Sequence, residues 1–190
     1  MGMQYVTGQR TYALGRVNVH NHLEVSGVEI DADVGAADVA KEALEGFGSL
    51  GAGLDGQTAA GFLAQLVDAL HGTGQLTAVD SSTQGITLIR KMFFALSDTT
   101  QTTLRAVNAP VNVFLPRLNG TDYDLIVVSG DAANYLDTFA QAPRLLREHG
   151  VIVFTDMLAF EGDEANGGVP NPADRSDKAV VMRQLLDMVQ

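Results

Sequence analysis

The period of the apolar positions changes along the chain, and each change marks an element. Phe62, Leu63, Leu66, Val67 and Leu70, with Ala59 before them, recur at i, i+3, i+4, i+7 spacing, which predicts a helix with one buried face. A Gly72-Thr-Gly74 turn leads into Gln75-Leu-Thr-Ala-Val79, short and apolar enough for a buried strand. A second helix is predicted from about Gly85 to Ala95, with Ile86, Ile89 and Phe93 on one side. Val107 lies in a weaker strand, and Pro110 suits the start of a short helix over Val111 to Leu118. Tyr123-Asp-Leu-Ile-Val-Val128 is a continuous apolar run of the kind that fills the middle of a parallel sheet. The next helix is predicted from about Asn134 to Glu148, with Leu136, Phe139, Leu145 and Leu146 inward and Gly150 as its stop. Val151 to Phe154 forms another buried strand. A loop over Gly162 to Pro172, rich in Gly, Asn and Pro, precedes a last helix from about Asp174 to Val189, with Asp174 or Ser176 as its cap.

Strands and helices alternating at this spacing give βαβ units. Right-handed crossovers then predict a three-layer, doubly wound α/β fold, a mostly parallel sheet with helices on both faces. The first 45 residues read differently. Val17, Val19, Leu23, Val25, Val28 and Ile30 are interleaved with polar residues, which predicts one or two strands or an extended arm. A short helix is expected from Asp33 to Leu44. Residues 1–45 are therefore an arm, expected to form one compact unit with a main domain over 46–190.

Composition narrows the partners. Twenty-three acidic against twelve basic residues leave a net charge of −11, which argues against a nucleic-acid backbone and an anionic membrane surface. Apolar residues at 46% and charged ones at 18% exclude a disordered chain. The absence of cysteine removes disulfides, thiolate metal sites and a cysteine nucleophile, and makes the cytoplasm the simplest expectation. The first ten residues, MGMQYVTGQR, carry no apolar signal-peptide core.

Two features carry candidate chemistry. Gly51, Gly53 and Gly56 form G-x-G-x-x-G ahead of a helix, a spacing that lets backbone approach a nucleotide. With 20 glycines in the chain, that match alone is weak. Asp80 ends the next strand, where a carboxylate can accept hydrogen bonds from both hydroxyls of a ribose; the plainer alternative is a turn or cap residue before Ser81 and Ser82. Together they describe a nucleoside site at the carboxyl ends of the strands, a layout that NAD and S-adenosylmethionine (SAM) sites share. The histidines do not converge. His20 and His22 alternate on an expected strand with no third ligand, whereas His71 and His149 suit helix ends.

Four segments, in order, resemble the catechol-type O-methyltransferases, a class I SAM-dependent family. Gln75-Leu-Thr-Ala-Val-Asp80 matches that family's second strand, and Phe114-Leu-Pro-Arg-Leu118 is similar to its VLPRL helix. Tyr123-Asp-Leu-Ile-Val-Val-Ser-Gly-Asp-Ala-Ala-Asn-Tyr135 resembles its YDLVFID…AD-K-x-x-Y signature, and Arg144-Leu-Leu-Arg-Glu-His-Gly-Val-Ile-Val153 its LLRPGG-LIV step. The similarity covers roughly residues 34 to 190. It implies a Rossmann-like SAM-methyltransferase fold and a SAM cofactor along the strand tips. The glycine loop, matched either at Asp55-Gly56 or at Gly51-x-Gly53, would face the methionine portion, Asp80 the ribose and Ser81 the adenosine. Asn108 and Ala109 would lie near the adenine, and Ser129 at the end of the following strand.

The departures from the family concern its metal and its base. The family's divalent metal is held by an Asp ending the YDLVFID strand and by an Asp-Asn pair after the next strand, at positions that correspond here to Ser129, Thr155 and Asp156. Only Asp156 is ionised, and a hard cation such as Mg²⁺ normally needs more carboxylate. Asp131 stands two residues beyond Ser129, so an Asp131/Asp156 pair is the remaining metal and catalytic candidate, with helix capping as its alternative. The family's lysine base corresponds to Ala132, and Lys178 is the only lysine after Lys91. The resemblance thus implies an O-methyltransferase of small molecules, with or without a metal. Its rivals are a homologue that has lost catalysis and serves in binding or assembly, and an NAD-dependent oxidoreductase. The family usually closes with an antiparallel strand pair after the last helix, and here that pair is expected to be either cut off or replaced. Arg16 to Ile30 is expected to fill that sheet edge, or the edge to be covered in a homodimer.

Overall fold

A computed structural model describes residues 3–7, 10–14, 25–30, 35–49, 58–155, 157–159 and 167–190. In chain order the strands are β1 (Met3–Thr7), β2 (Arg10–Leu14), β3 (Val25–Glu29), β4 (Gln75–Asp80), β5 (Thr103–Asn108), β6 (Tyr123–Val128) and β7 (Leu146–Phe154). The helices are α1 (Ala36–Ser49), α2 (Thr58–Ala69), α3 (Thr83–Leu96), α4 (Val111–Phe114), α5 (Ala133–Leu145) and α6 (Asp177–Val189), with a 3-10 turn over Leu115–Arg117. The central strands stand in the order β7-β6-β3-β4-β5, an open mixed sheet that is mostly parallel.

Side-chain alternation along β6 builds the layers. Leu125 and Val127 point into a core with α1, α2 and α3, while Ile126 and Val128 point into one with α5 and α6. The two parallel crossovers explain why. From β4 through α3 to β5 the chain moves outward one way, and from β6 through α5 to β7 it moves the other way. Right-handed connections of opposite travel leave α3 and α5 on opposite faces. The largest fully buried side chains, among them Phe62, Leu63, Leu66, Tyr135 and Phe154, fill these two cores.

The N-terminal expectation is corrected in position. Val25–Glu29 does not fill the sheet edge but enters its centre, antiparallel to both β4 and β6, with Val25 beside Val79 and Val128. The local reason lies in both faces being covered. Ser26 and Val28 are fully buried, and a Cβ on Gly27 would stand 2.5 Å from the Tyr123 ring, so only glycine admits that ring across the strand. The edge beside β7 is instead extended by the β1–β2 hairpin, β2 parallel to β7. The bare edge there that motivated a homodimer is thereby filled.

Two boundaries also shift. The helix expected to run to Glu148 ends at Leu145, because Leu146 turns extended (φ −81°, ψ 138°) and pairs with Tyr123. Gly150 therefore does not stop a helix. It lies in a register shift of β7 where a Cβ would meet the Arg147 carbonyl at 2.8 Å. The first helix continues past Leu44 to Ser49 and takes in Gly46 and Gly48. Among the described residues no helix is long and apolar enough to cross a membrane.

Candidate functional site

The carboxyl ends of β4, β5, β6 and β7 form one rim. Register pairs Asp80 with Asn108 and Val128 with Phe154, and β3 bridges the halves through Val25. Asp80, Ser81, Asn108, Ala109, Ser129, Asp131 and Thr155 are therefore brought to the same edge. Gly53, Asp55, Gly56 and Asp156 lie outside the described residues, as do Gly51, His20, His22 and residues 160–166 of the loop after β7.

Asp80 is 2% exposed. Its Oδ1 accepts from the Ser82 backbone amide at 2.7 Å and from the Ser82 hydroxyl at 2.8 Å. That same hydroxyl oxygen accepts from the Gly85 amide at 2.9 Å, so Ser82 caps α3 while gripping the strand-end carboxylate. Oδ2 is buried and has no hydrogen-bond partner among the described residues. It rests against Gly85, where a Cβ would collide with it. The turn-residue role is thus fulfilled by one oxygen, and the second remains an orphaned acceptor beside the N-terminus of α3, whose dipole favours the negative charge.

Around this carboxylate the neighbouring rim is backbone-bound. Asn108 Nδ2 donates to the Asp80 carbonyl at 3.0 Å and to the Ser82 carbonyl at 3.4 Å, and the Ala109 amide donates to the Asp80 carbonyl at 3.3 Å. These bonds lock the tip of β5 onto the turn after β4. Ser81 is exposed on that turn.

The β6–β7 half is built from hydroxyls. Ser129 and Thr155 are fully buried. The Thr155 amide and hydroxyl both donate to the Val128 carbonyl, at 3.0 and 3.2 Å. Tyr135, on α5, donates its phenol to the Thr155 carbonyl at 3.0 Å and stacks on Phe154 with ring centroids 5.9 Å apart. Burial pushes that phenol up to about 12. Asp131 is exposed after Gly130 (φ 77°), and its Oδ1 accepts from Ala133 at the start of α5 at 3.0 Å, which is the capping alternative. Among the described residues no group of three or more His, Asp or Glu side chains could hold a metal ion.

Lys178, in the first turn of α6, is drawn towards this half of the rim. Burial lowers its pKa, and the nearby Asp131 carboxylate partly offsets that. Its helix start is held by Arg183, whose guanidinium donates to the carbonyls of Gly168, Val169, Asn171 and Asp174. The remaining histidines stay apart from the rim, His71 on Glu42 at 3.2 Å and His149 exposed at φ 63°.

Sequence reasoning singled out Asp80 and Asp131 but passed over Ser82, Gly85 and Lys178 as rim residues. The Asp80-Ser-Ser82-Thr-Gln-Gly85 spacing does carry a signal, a strand-end acid followed by a cap whose third residue on is glycine. The approach of Lys178 to Asp131 carries none, since it is made only by packing α6 against α5. No protein-family model matches this chain, and comparison with characterised proteins gives no match.

Proposed function

We propose that this chain binds S-adenosylmethionine through a Rossmann-like, doubly wound domain and methylates a hydroxyl of a small organic acceptor without a divalent metal. The observation that carries the reading is Asp80, a buried strand-end carboxylate with one oxygen that finds no donor among the described residues. A ribose hydroxyl is a donor of the kind that oxygen lacks, and Asp80 sits at the strand-end position where α/β sheets bind nucleosides. The fit to the cofactor is therefore reasonable at the sugar. It is further supported by the four family-like segments, which supply β4, the α4 turn, β6–α5 and β7 around one rim.

The fit to a divalent metal is poor. Ser129 and Thr155 offer neutral hydroxyls, that of Thr155 already bonded to a backbone carbonyl, and Asp131 caps a helix. When bound, SAM would supply an electrophilic methyl group. The chain's own share is then to hold the adenosine, exclude water and align the acceptor oxygen. Lys178, whose pKa is lowered by burial and which lies close enough to Asp131 to feel its charge, is the amine we assign to taking the acceptor's proton.

A second reading is favoured by Ala132 and the neutral Ser129 and Thr155. In it the chain keeps cofactor or ligand binding and has lost catalysis. An NAD-dependent oxidoreductase would share both Asp80 and the Gly51-x-Gly53-x-x-Gly56 spacing with the leading reading. Calorimetry with SAM, S-adenosylhomocysteine and NADH separates these. SAM or S-adenosylhomocysteine binding with NADH silent is expected, and no binding by a folded sample defeats the proposal. Turnover of a catechol, with or without Mg²⁺, then decides between the enzyme and its inactive counterpart.

A further inference from the structure

We propose that Ser82 and Gly85 form a latch that holds Asp80 closed, and that a cofactor gains the carboxylate only by releasing it. This rests on the reading of Asp80 as the sugar-binding residue. The carboxylate is nine-tenths and more buried, yet only Oδ1 is bonded, twice, to Ser82. Oδ2 is pressed into the space that glycine leaves at position 85 and has no donor among the described residues. In that pose neither oxygen is presented to the rim, and a pair of vicinal hydroxyls cannot reach both.

Turning the carboxylate outward breaks at least the Ser82 hydroxyl bond and frees Oδ2 from its unsatisfied position. The closed pose keeps a charge-assisted hydrogen bond, whereas an open one would regain hydration for the orphaned oxygen. A ligand that binds only the open pose has its apparent affinity reduced by the fraction of molecules that are open. The Ser82 hydroxyl, which donates to Asp80 and accepts from Gly85, sets that fraction. Glycine at 85 is the second part, since any Cβ there would collide with the closed carboxylate.

The latch is tested first without any cofactor. Carbodiimide coupling of glycinamide to Asp80, read by peptide mass spectrometry, reports how often the carboxylate is open, with exposed Asp98 and Asp137 as references in the same sample. Coupling at Asp80 should rise about tenfold in Ser82→Ala and stay near wild type in Ser82→Thr, which keeps the hydroxyl. Gly85→Ala, which leaves the cap intact, should raise it as well and covers the case in which Ser82→Ala folds poorly. Affinity for S-adenosylhomocysteine should tighten by about three- to tenfold in Ser82→Ala. Unchanged coupling in both Ser82→Ala and Gly85→Ala overturns the latch, and so does weaker binding by a folded Ser82→Ala protein, which would make Ser82 an organiser of the open site. If coupling rises but wild type and variants alike ignore S-adenosylhomocysteine, the latch stands and the cofactor reading is the part that fails.

Discussion

The two halves of the rim use opposite chemistry at equivalent places. At the end of β4 an acid is buried, gripped on one oxygen and left unsatisfied on the other. At the ends of β6 and β7 the equivalent positions hold Ser129 and Thr155, neutral and fully buried, with the Thr155 hydroxyl donating to the backbone. A buried ionised group with a missing partner costs stability and persists where something else recovers that cost. A buried hydroxyl bonded to a carbonyl needs no such explanation. The unsatisfied carboxylate oxygen therefore lies on the β4 side, whereas the Thr155 hydroxyl on the β6–β7 side is satisfied by backbone.

Ser129→Asp would place an uncompensated charge in a fully buried site and should cost about 3–5 kcal/mol of stability, read by urea denaturation. Millimolar Mg²⁺ should not restore it, because Asp131 faces solvent and caps α5. Full recovery with Mg²⁺ would show that a metal site survives on this side.

The β6–β7 half should also fail first in alkali. The Tyr135 phenol is raised from 10.0 to about 12 by burial, so the folded state holds its proton more tightly than the unfolded chain. Its contribution is complete below pH 10 and is lost as pH climbs through 12, about 2–3 kcal/mol in all. Tyr135→Phe should lose about 1 kcal/mol at neutral pH, for the bond to the Thr155 carbonyl, and should lack that tyrosine's alkaline decline. Equal alkaline slopes for the two proteins would remove Tyr135 from the account.

On the β4 side, Asp80→Ala should weaken SAM or S-adenosylhomocysteine binding by about 1–3 kcal/mol in calorimetry. Stability should change little, because the loss of the Ser82 bonds is offset by removal of the unsatisfied oxygen. A large loss of stability with unaltered ligand affinity would make Asp80 a purely structural residue.

How far these halves are legible in the sequence follows from what periodicity carries. β4, β6, α2 and α3 are marked by apolar runs or spacings, and the structure keeps them with boundaries moved by a residue or two. Leu145 and Leu146 fit a helix face or a buried strand equally well, so the end of α5 could not be placed from pattern. Strand direction has no signature in alternation, which is why Val25–Glu29 was expected at an edge and stands reversed at the centre. Asp80 was legible as a strand-end acid. Its inward pose depends on a glycine five residues on and a particular hydroxyl, a matter of packing rather than of residue type.

The smallest effect tests whether Asp131 belongs to the backbone-bonded β6–β7 half or to a site. Its carboxylate holds the first amide of α5 and is the charge that partly offsets the burial of Lys178. Asp131→Ala should therefore cost about 0.5–1 kcal/mol through the lost cap, with no change in SAM affinity. It should also deepen the depression of the Lys178 pKa. A lysine with a lowered folded pKa binds its proton more weakly in the folded state, so its penalty is fully present below the folded value and fades as pH rises towards 10.5. The variant's deficit should accordingly be larger at pH 7 than above pH 10, seen as converging thermal transitions. A deficit that is constant with pH would leave only the cap. Converging transitions with weakened SAM binding would move Asp131 and Lys178 together into the binding site.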